Sequence, residues 1–299
     1  MLQGRVIKAY NSFFYVQTEI GLITCKLRGR FKKARRELGV VPGDWVIIDS
    51  LPDGTGVIEE ILPRRQLLKR PAVANLTQVV LTFAAAQPDL HPLLLNRFLV
   101  LAEWSGVDKI IICVNKMDLY QGEPEDLLSI YRKIGYPVVL LSARDGRGIE
   151  ELKSYLSGET TVFAGPSGVG KSSLLNAIDA TLSLQTGQIS EKIKRGKHTT
   201  RTAELMPYAG GGYIVDTPGF SAMDLSAMEA DDLASCFPDF APYLGRCRFS
   251  PCSHSHEPGC IVKEAAEEGG ISRERYEAYL SIRQEIQEAQ KIAQRKEYK

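Results

Sequence analysis

Residues 161–173 read Thr161-Val162-Phe163-Ala164-Gly165-Pro166-Ser167-Gly168-Val169-Gly170-Lys171-Ser172-Ser173. An apolar strand runs into a glycine turn, and the turn opens a helix-forming run. Gly165 to Ser172 fits G-x-x-x-x-G-K-[ST], whose fixed positions arise by chance in roughly one chain of this length per hundred at average glycine usage. Glycines let the backbone turn so that N–H groups point inward at phosphate oxygens. Lys171 places a positive charge on the β- and γ-phosphates, and the Ser172 hydroxyl completes a Mg²⁺ shell. The helix that continues through Ser173 adds its positive N-terminal end.

Upstream, Asn115-Lys116-Met117-Asp118 follows the apolar strand 109–114 and matches N-K-x-D. Guanine shows two donors side by side, and one carboxylate at Asp118 accepts both as a bidentate pair. Adenine has a bare acceptor at the same place and is rejected, because buried polar groups would go unpaired. Asn115 is expected to tie this loop to the phosphate loop, and the Lys116 stem to cover the base. Ser142-Ala143 follows the strand 138–141, where small residues let a backbone N–H approach the guanine O6. As a two-residue match it also fits an ordinary strand-end turn, and the other motifs select the reading.

Downstream, Asp216-Thr217-Pro218-Gly219 follows the strand 213–215. Asp216 is expected to hold Mg²⁺ through water, and the Gly219 N–H to touch the γ-phosphate. Between these motifs lies Gly196-Lys197-His198-Thr199-Thr200-Arg201, with Thr200, or else Thr199, as the residue that closes over Mg²⁺. Ras-like enzymes orient the attacking water with a glutamine after the D-x-x-G glycine. Here Phe220 stands there and cannot do this. His198 is the internal candidate for the task, its alternative being contact with RNA or solvent. The expected catalytic set is therefore Lys171, His198 and Thr200. The guanine-reading motifs precede the phosphate loop, the reverse of the ordinary order. The pattern implies a circularly permuted GTPase that binds GTP or GDP with Mg²⁺.

The rest of the chain frames this segment. With 299 residues and 44 % hydrophobic content, two or three domains with sizeable cores can form. No apolar run reaches membrane-spanning length and the N-terminus shows no signal pattern, so a cytoplasmic protein with no membrane partner is expected. Residues 1–70 read as short strands broken by turns: an OB-type β-barrel, with a sandwich or SH3-like barrel as the alternative. Arg64, Arg65, Lys69, Arg70 and Pro71 read as a linker. Residues 71–225 alternate strand and helix, which implies a mostly parallel sheet with helices on both faces. Residues 226–299 hold a cysteine cluster and a helical tail, where Tyr279, Ile282, Ile286, Ala289 and Ala293 share one helix face.

Net charge is only +1, so bulk charge points to no partner, but local charge does. Lys26, Arg28, Arg30, Lys32, Lys33, Arg35 and Arg36 follow one another with no acid until Glu37, and Lys192, Lys194, Arg195, Lys197 and Arg201 form a second basic segment. Both suit contact with RNA phosphates, and both also suit a solvated loop. Cys247-x₄-Cys252-x-His254-x₅-Cys260 offers three thiolates and one imidazole, a set that suits a closed, structural Zn²⁺. His256 is a rival ligand.

Taken together, the permuted order, the G-P-S-G-V-G-K-S-S loop, the H-T-T segment, D-T-P-G-F and the Cys/His cluster resemble the RsgA (YjeQ/YloQ) family of ribosome small subunit-dependent GTPases over essentially the whole chain. The resemblance implies an OB-type N-terminal barrel and a cytoplasmic factor, here expected to be monomeric. It also implies binding to the small ribosomal subunit and its 16S-type rRNA late in assembly, with GTP hydrolysis stimulated by that subunit. A module that binds RNA and uses GTP only as a structural ligand is the alternative.

Overall fold

The computed structural model describes residues 1–29, 39–69, 72–182, 203–216, 225 and 227–297, with backbone alone at 69, 124–127, 216 and 293–297. Alternation of buried and open side chains builds the first part. β1 (Leu2–Tyr10), β2 (Phe13–Thr18), β3 (Gly21–Leu27), β4 (Trp45–Ser50) and β5 (Gly56–Ile61) are short strands joined by turns. Phe14 and Val16 on β2 and Ile23 and Cys25 on β3 point inward at every second residue. The strands pair in the order β1-β2-β3-β5-β4, and β4 returns to β1, so the barrel is closed. All contacts are antiparallel except β3 with β5. Register shifts at Val6/Lys8 and Ile47/Ile48 supply local bends of the kind that let few strands close. Val6, Val16, Val46, Ile48 and Ile58 fill the interior. This is the OB-type connectivity, and the sandwich alternative falls.

The segment read as a linker is more ordered than that. β6 (Leu67–Lys69) and β7 (Ala72–Ala74) form a two-stranded antiparallel ladder. Arg64 donates to both oxygens of the buried Asp44 at 2.6 and 2.7 Å, rather than facing solvent as a linker arginine would.

The alternating region follows with β8 (Gln78–Ala84), α1 (Pro92–Trp104), β9 (Lys109–Asn115), α2 (Pro124–Ile134), β10 (Val138–Leu140) and α3 (Ile149–Leu156). It continues with β11 (Thr160–Ala164), α4 (Lys171–Ile178), β12 (Glu204–Pro207) and β13 (Tyr213–Asp216). The sheet order is β10-β9-β8-β11-β13-β12, with β9, β8, β11 and β13 parallel and β12 antiparallel. Every residue of β8 and β11 is buried, as a parallel strand covered on both faces requires. Ile149, Leu152 and Leu156 of α3 and Leu174 and Ile178 of α4 pack with Val80, Ile111 and Phe163 of the sheet. β12 also meets β1 at Lys8 and Glu204, so barrel and sheet share one ladder.

By compactness the chain forms two units. The first is Met1–Pro88, Ser105–Tyr120 and Val139–Ser221. The second is Asp89–Trp104, Gln121–Val138 and Ala222–Lys299. The second unit therefore gathers α1 and α2 with the C-terminal segment, which holds α5 (Ile261–Glu267) and α6 (Arg273–Glu297). Its core is a triangle of Phe237, Phe240 and Tyr279 with ring centroids 4.9–5.4 Å apart. Tyr279, Ile282 and Ile286 of the expected helix face are buried in that core. The largest side chain inside is charged. Arg275 donates to Asp239 at 2.6 Å and Asn96 at 2.5 Å and lies 4.5 Å from the Phe237 ring centroid. Removing one partner of such a pair leaves a buried charge alone. Arg275→Ala is expected to lower stability by about 3–5 kcal/mol, read as a lower urea midpoint of the C-terminal transition.

Candidate nucleotide site and metal centre

The phosphate loop takes its shape from three glycines. β11 ends at Gly165, whose φ is 148°, and a Cβ there would stand 1.9 Å from the Thr82 carbonyl oxygen of the neighbouring strand. Gly170 has φ 90°, caps α4, and leaves no room for a Cβ beside the Asn115 amide 2.5 Å away. Gly168 has φ 82°. Only glycine adopts these angles without strain. Lys171 opens α4, and its Nζ donates to the carbonyls of Gly165 and Pro166, both at 2.7 Å. Burial pulls its pKa down, so its charge sits where water stabilises it poorly. Ser167, Gly168, Ser172 and Ser173 are exposed along the loop and first helical turn, while Val169 is buried beneath them.

Asn115 ends β9 and is 2 % exposed. Its Nδ2 donates to the Val169 carbonyl at 3.0 Å, and its Oδ1 accepts from the Ala143 N–H at 3.0 Å. One amide thus joins three loops that lie far apart in sequence. Lys116, at φ 62°, donates to the Gly168 carbonyl at 2.7 Å and to the Gln87 carbonyl. Asp118 Oδ1 accepts from the buried Ser142 hydroxyl at 2.8 Å, and Arg144 stands 3.6 Å from Oδ2. Met117 N–H reaches the Leu141 carbonyl at 3.2 Å, closing the loops that follow β9 and β10 on each other. Lys116, Asp118, Ser142 and Ala143 therefore line one edge together with Gly165 to Ser172. Reading the sequence missed Gln87 and Arg144. Arg144 was visible as the residue after Ser142-Ala143, whereas nothing in the sequence marks Gln87.

β13 runs parallel to β11 with Val162 opposite Val215. Continuing that register sets the Asp216 backbone beside Phe163, two residues before Gly165. His198, Thr199, Thr200, Gly219 and Phe220 lie outside the described residues. So do Arg30, Lys32, Lys33, Arg35 and Arg36 of the first basic run, and Lys192, Lys194, Arg195, Lys197 and Arg201. Of that first run, Lys26 is exposed with its Nζ 5.1 Å from the Phe13 ring centroid, and Arg28 pairs with Glu59.

In the second unit, Cys247, Cys252, His254 and Cys260 bring their donor atoms within 4.8 Å of one another. The Cys247 and Cys260 sulfurs are 3.9 Å apart, and His254 Nδ1 is 3.5 Å from each. Tetrahedral zinc, with its usual bond lengths, spaces two sulfurs by about 3.8 Å and sulfur from nitrogen by about 3.6 Å. The donor set therefore suits one structural zinc. His254 has φ 55° and is buried. The turn that aims it is held from α6, where Tyr276 donates to the His254 carbonyl at 2.9 Å and Tyr279 to the Ser253 carbonyl at 2.8 Å. Glu257 accepts from the backbone N–H groups of Ser253, Ser255 and His256 at 2.8–3.3 Å. Burial opposes the charge of Glu257, and these hydrogen bonds outweigh it, holding the carboxyl well below its usual range. His256, the rival ligand, is exposed and lies against Ser255.

Comparison with known proteins identifies the family. Residues 61–226 match the model of the RsgA GTPase, and residues 3–58 that of the RsgA N-terminal domain. The chain belongs to the RsgA GTPase family. Among relatives named small ribosomal subunit biogenesis GTPase RsgA, that of Moorella thermoacetica is 47 % identical, covering 95 % of this chain and 97 % of its own. That of Caldanaerobacter subterraneus subsp. tengcongensis is 43 % identical, covering 97 % of each. The crystal structure of YjeQ from Thermotoga maritima superposes with a TM-score of 0.83 at 40 % identity, over 95 % of this chain and 98 % of the other. YloQ, described as a circularly permuted GTPase, gives 0.81 at 36 % identity over 96 % of each. Membership in the RsgA family makes this chain a GTP hydrolase, for which Mg²⁺ accompanies the nucleotide.

Two outcomes follow from the site. Asn115→Ala strips partners from the Val169 carbonyl and the Ala143 N–H and frees the two loops from each other, so GDP affinity by calorimetry should fall on the order of ten- to a hundredfold, about 1.4–2.8 kcal/mol. Cys252→Ala should bring bound zinc, measured by metal analysis, well below one per chain.

Proposed function

We propose that this RsgA-family chain binds GTP at the edge joined by Asn115 and hydrolyses it while engaged with the small ribosomal subunit, in that subunit's late maturation. The observation that supports the proposal is the bridge from Asn115 to Val169 and Ala143, which joins the loop carrying Asp118 to the loop carrying Lys171. The names of the relatives support the choice of partner. In this reading Asp118 accepts the two guanine donors, Ala143 N–H meets O6, and Lys116 covers the base. Gly165 to Ser173 wrap the phosphates, and Lys171 neutralises them. Ser172, Thr200 and Asp216 hold Mg²⁺, Gly219 senses the γ-phosphate, and His198 orients the attacking water.

The proposed organisation is a barrel over 1–70, a GTPase domain over 71–225 and a zinc module over 226–299. The proposed working form is a cytoplasmic monomer. Among the described residues no helix is long and apolar enough to cross a membrane. Contact with 16S-type rRNA is assigned to Lys26, Arg28, Arg30, Lys32, Lys33, Arg35 and Arg36, which would meet phosphates and fix position rather than read sequence.

The experiment is single-turnover GTP hydrolysis with and without small ribosomal subunits. Wild type is expected to accelerate roughly a hundredfold or more with the subunit, the scale on which a positioned acid–base group acts. His198→Ala should lose most of that gain at unchanged GTP affinity, and Lys171→Ala should lose binding. No acceleration of wild type would leave a passive GTP-binding RNA module instead.

A further inference from the structure

Arg5 is a buried cation with neutral neighbours. It lies on β1 and is 7 % exposed. Its Nη1 donates to Thr160 Oγ1 at 2.8 Å and its Nη2 to the Asn75 carbonyl at 3.0 Å. The guanidinium carbon is 5.5 Å from the Trp45 ring centroid and 5.0 Å from that of Tyr213. Its Nε is buried without a hydrogen-bond partner. Among the described residues no carboxylate pairs with it, and burial lowers its pKa.

These neighbours belong to two register pairs. Arg5 and Trp45 face each other across β1 and β4 of the barrel. Thr160 and Tyr213 face each other across β11 and β13 of the sheet. Thr160 opens the strand that ends at the phosphate loop, and Tyr213 opens the strand that ends at Asp216. Around this point the seam leaves no slack. Asn75 donates to the Gly43 carbonyl at 2.9 Å and accepts from Arg65 N–H at 2.9 Å. A Cβ on Gly43 would stand 1.9 Å from the Ala74 carbonyl oxygen. An apolar seam would let barrel and sheet slide, whereas a planar guanidinium with fixed donor directions between two rings sets one angle. A buried charge kept where an apolar residue would pack suggests a role in specifying geometry.

We propose that Arg5 is a positioning residue that carries the docking of the barrel on a partner to the starts of the two nucleotide-site strands. Small errors at a reacting centre cost large factors in rate, so a barrel held at a slack angle would still bind its partner but would no longer set the loops. The proposal rests on the reading that the small ribosomal subunit stimulates hydrolysis.

The test measures GDP affinity, basal GTP hydrolysis, subunit binding and subunit-stimulated hydrolysis for wild type, Arg5→Met, Arg5→Lys and Tyr213→Leu, with folding checked by circular dichroism. For Arg5→Met the expected result is unchanged GDP affinity, basal rate and subunit binding. Its stimulated kcat should fall about tenfold, within the range over which single residues modulate coupling. Arg5→Lys should recover part of the loss. Tyr213→Leu, which keeps the charge and removes one ring, should show the same selective loss and serves if Arg5→Met does not fold. Full stimulation in Arg5→Met and Tyr213→Leu overturns the proposal. So does an equal fall in basal and stimulated rates, which marks a merely structural residue, or a loss of subunit binding, which marks a docking residue. Wild type unmoved by subunits overturns the underlying functional reading, and this proposal with it.

Discussion

The proposed nucleotide site is organised around one side-chain amide. Asn115 joins the glycine loop of residues 165–170 to the loop after β10, through Val169 on one side and Ala143 on the other. In a chain whose motifs run in permuted order, residues 115 and 169 have no local reason to meet. Parallel pairing of β9 with β8 and of β8 with β11 brings their strand ends to the same edge. The amide then fixes the last few ångströms. Gly170 is part of the same constraint, since any side chain there would occupy the place of the Asn115 amide.

A second constraint of the same kind organises the C-terminal unit. Zinc-type ligands come from a turn with little regular structure, so something else has to aim them. The aim comes from helix α6, through the hydroxyls of Tyr276 and Tyr279 on the carbonyls of residues 254 and 253. The same helix places Arg275 against Asp239 and Asn96, binding helix α1 into that unit. A zinc held by this Cys/His set would add its binding free energy to that unit's stability, beside the ion pair.

Polar groups fix the region where the barrel meets the sheet. Arg5, Asp44, Asn75 and Arg64 are satisfied mainly by backbone carbonyls, hydroxyls and each other. Such a seam tolerates only one arrangement, because a shifted one leaves buried donors and acceptors unpaired. This gives the first unit a mechanical continuity that its sequence motifs, all at the opposite ends of the strands, do not suggest.

Much of this was legible without coordinates. Short strands broken by turns over residues 1–70 announced a barrel, the alternation of strand and helix over 71–225 announced a mostly parallel sheet, and the glycines of 165–170 announced a tight turn between strand and helix. These are short-range signals, in which residue type and spacing alone set backbone angle, face and donor chemistry. The three thiolates and one imidazole chose a metal for the same reason. The ladder at Leu67 to Ala74, the antiparallel strand 204–207 between sheet and barrel, the Gln87 carbonyl beneath Lys116, the tyrosines behind His254 and the burial of Arg5 and Arg275 were decided only by tertiary structure. Each depends on which distant atom lies within hydrogen-bond reach, and a linear pattern carries no record of that distance.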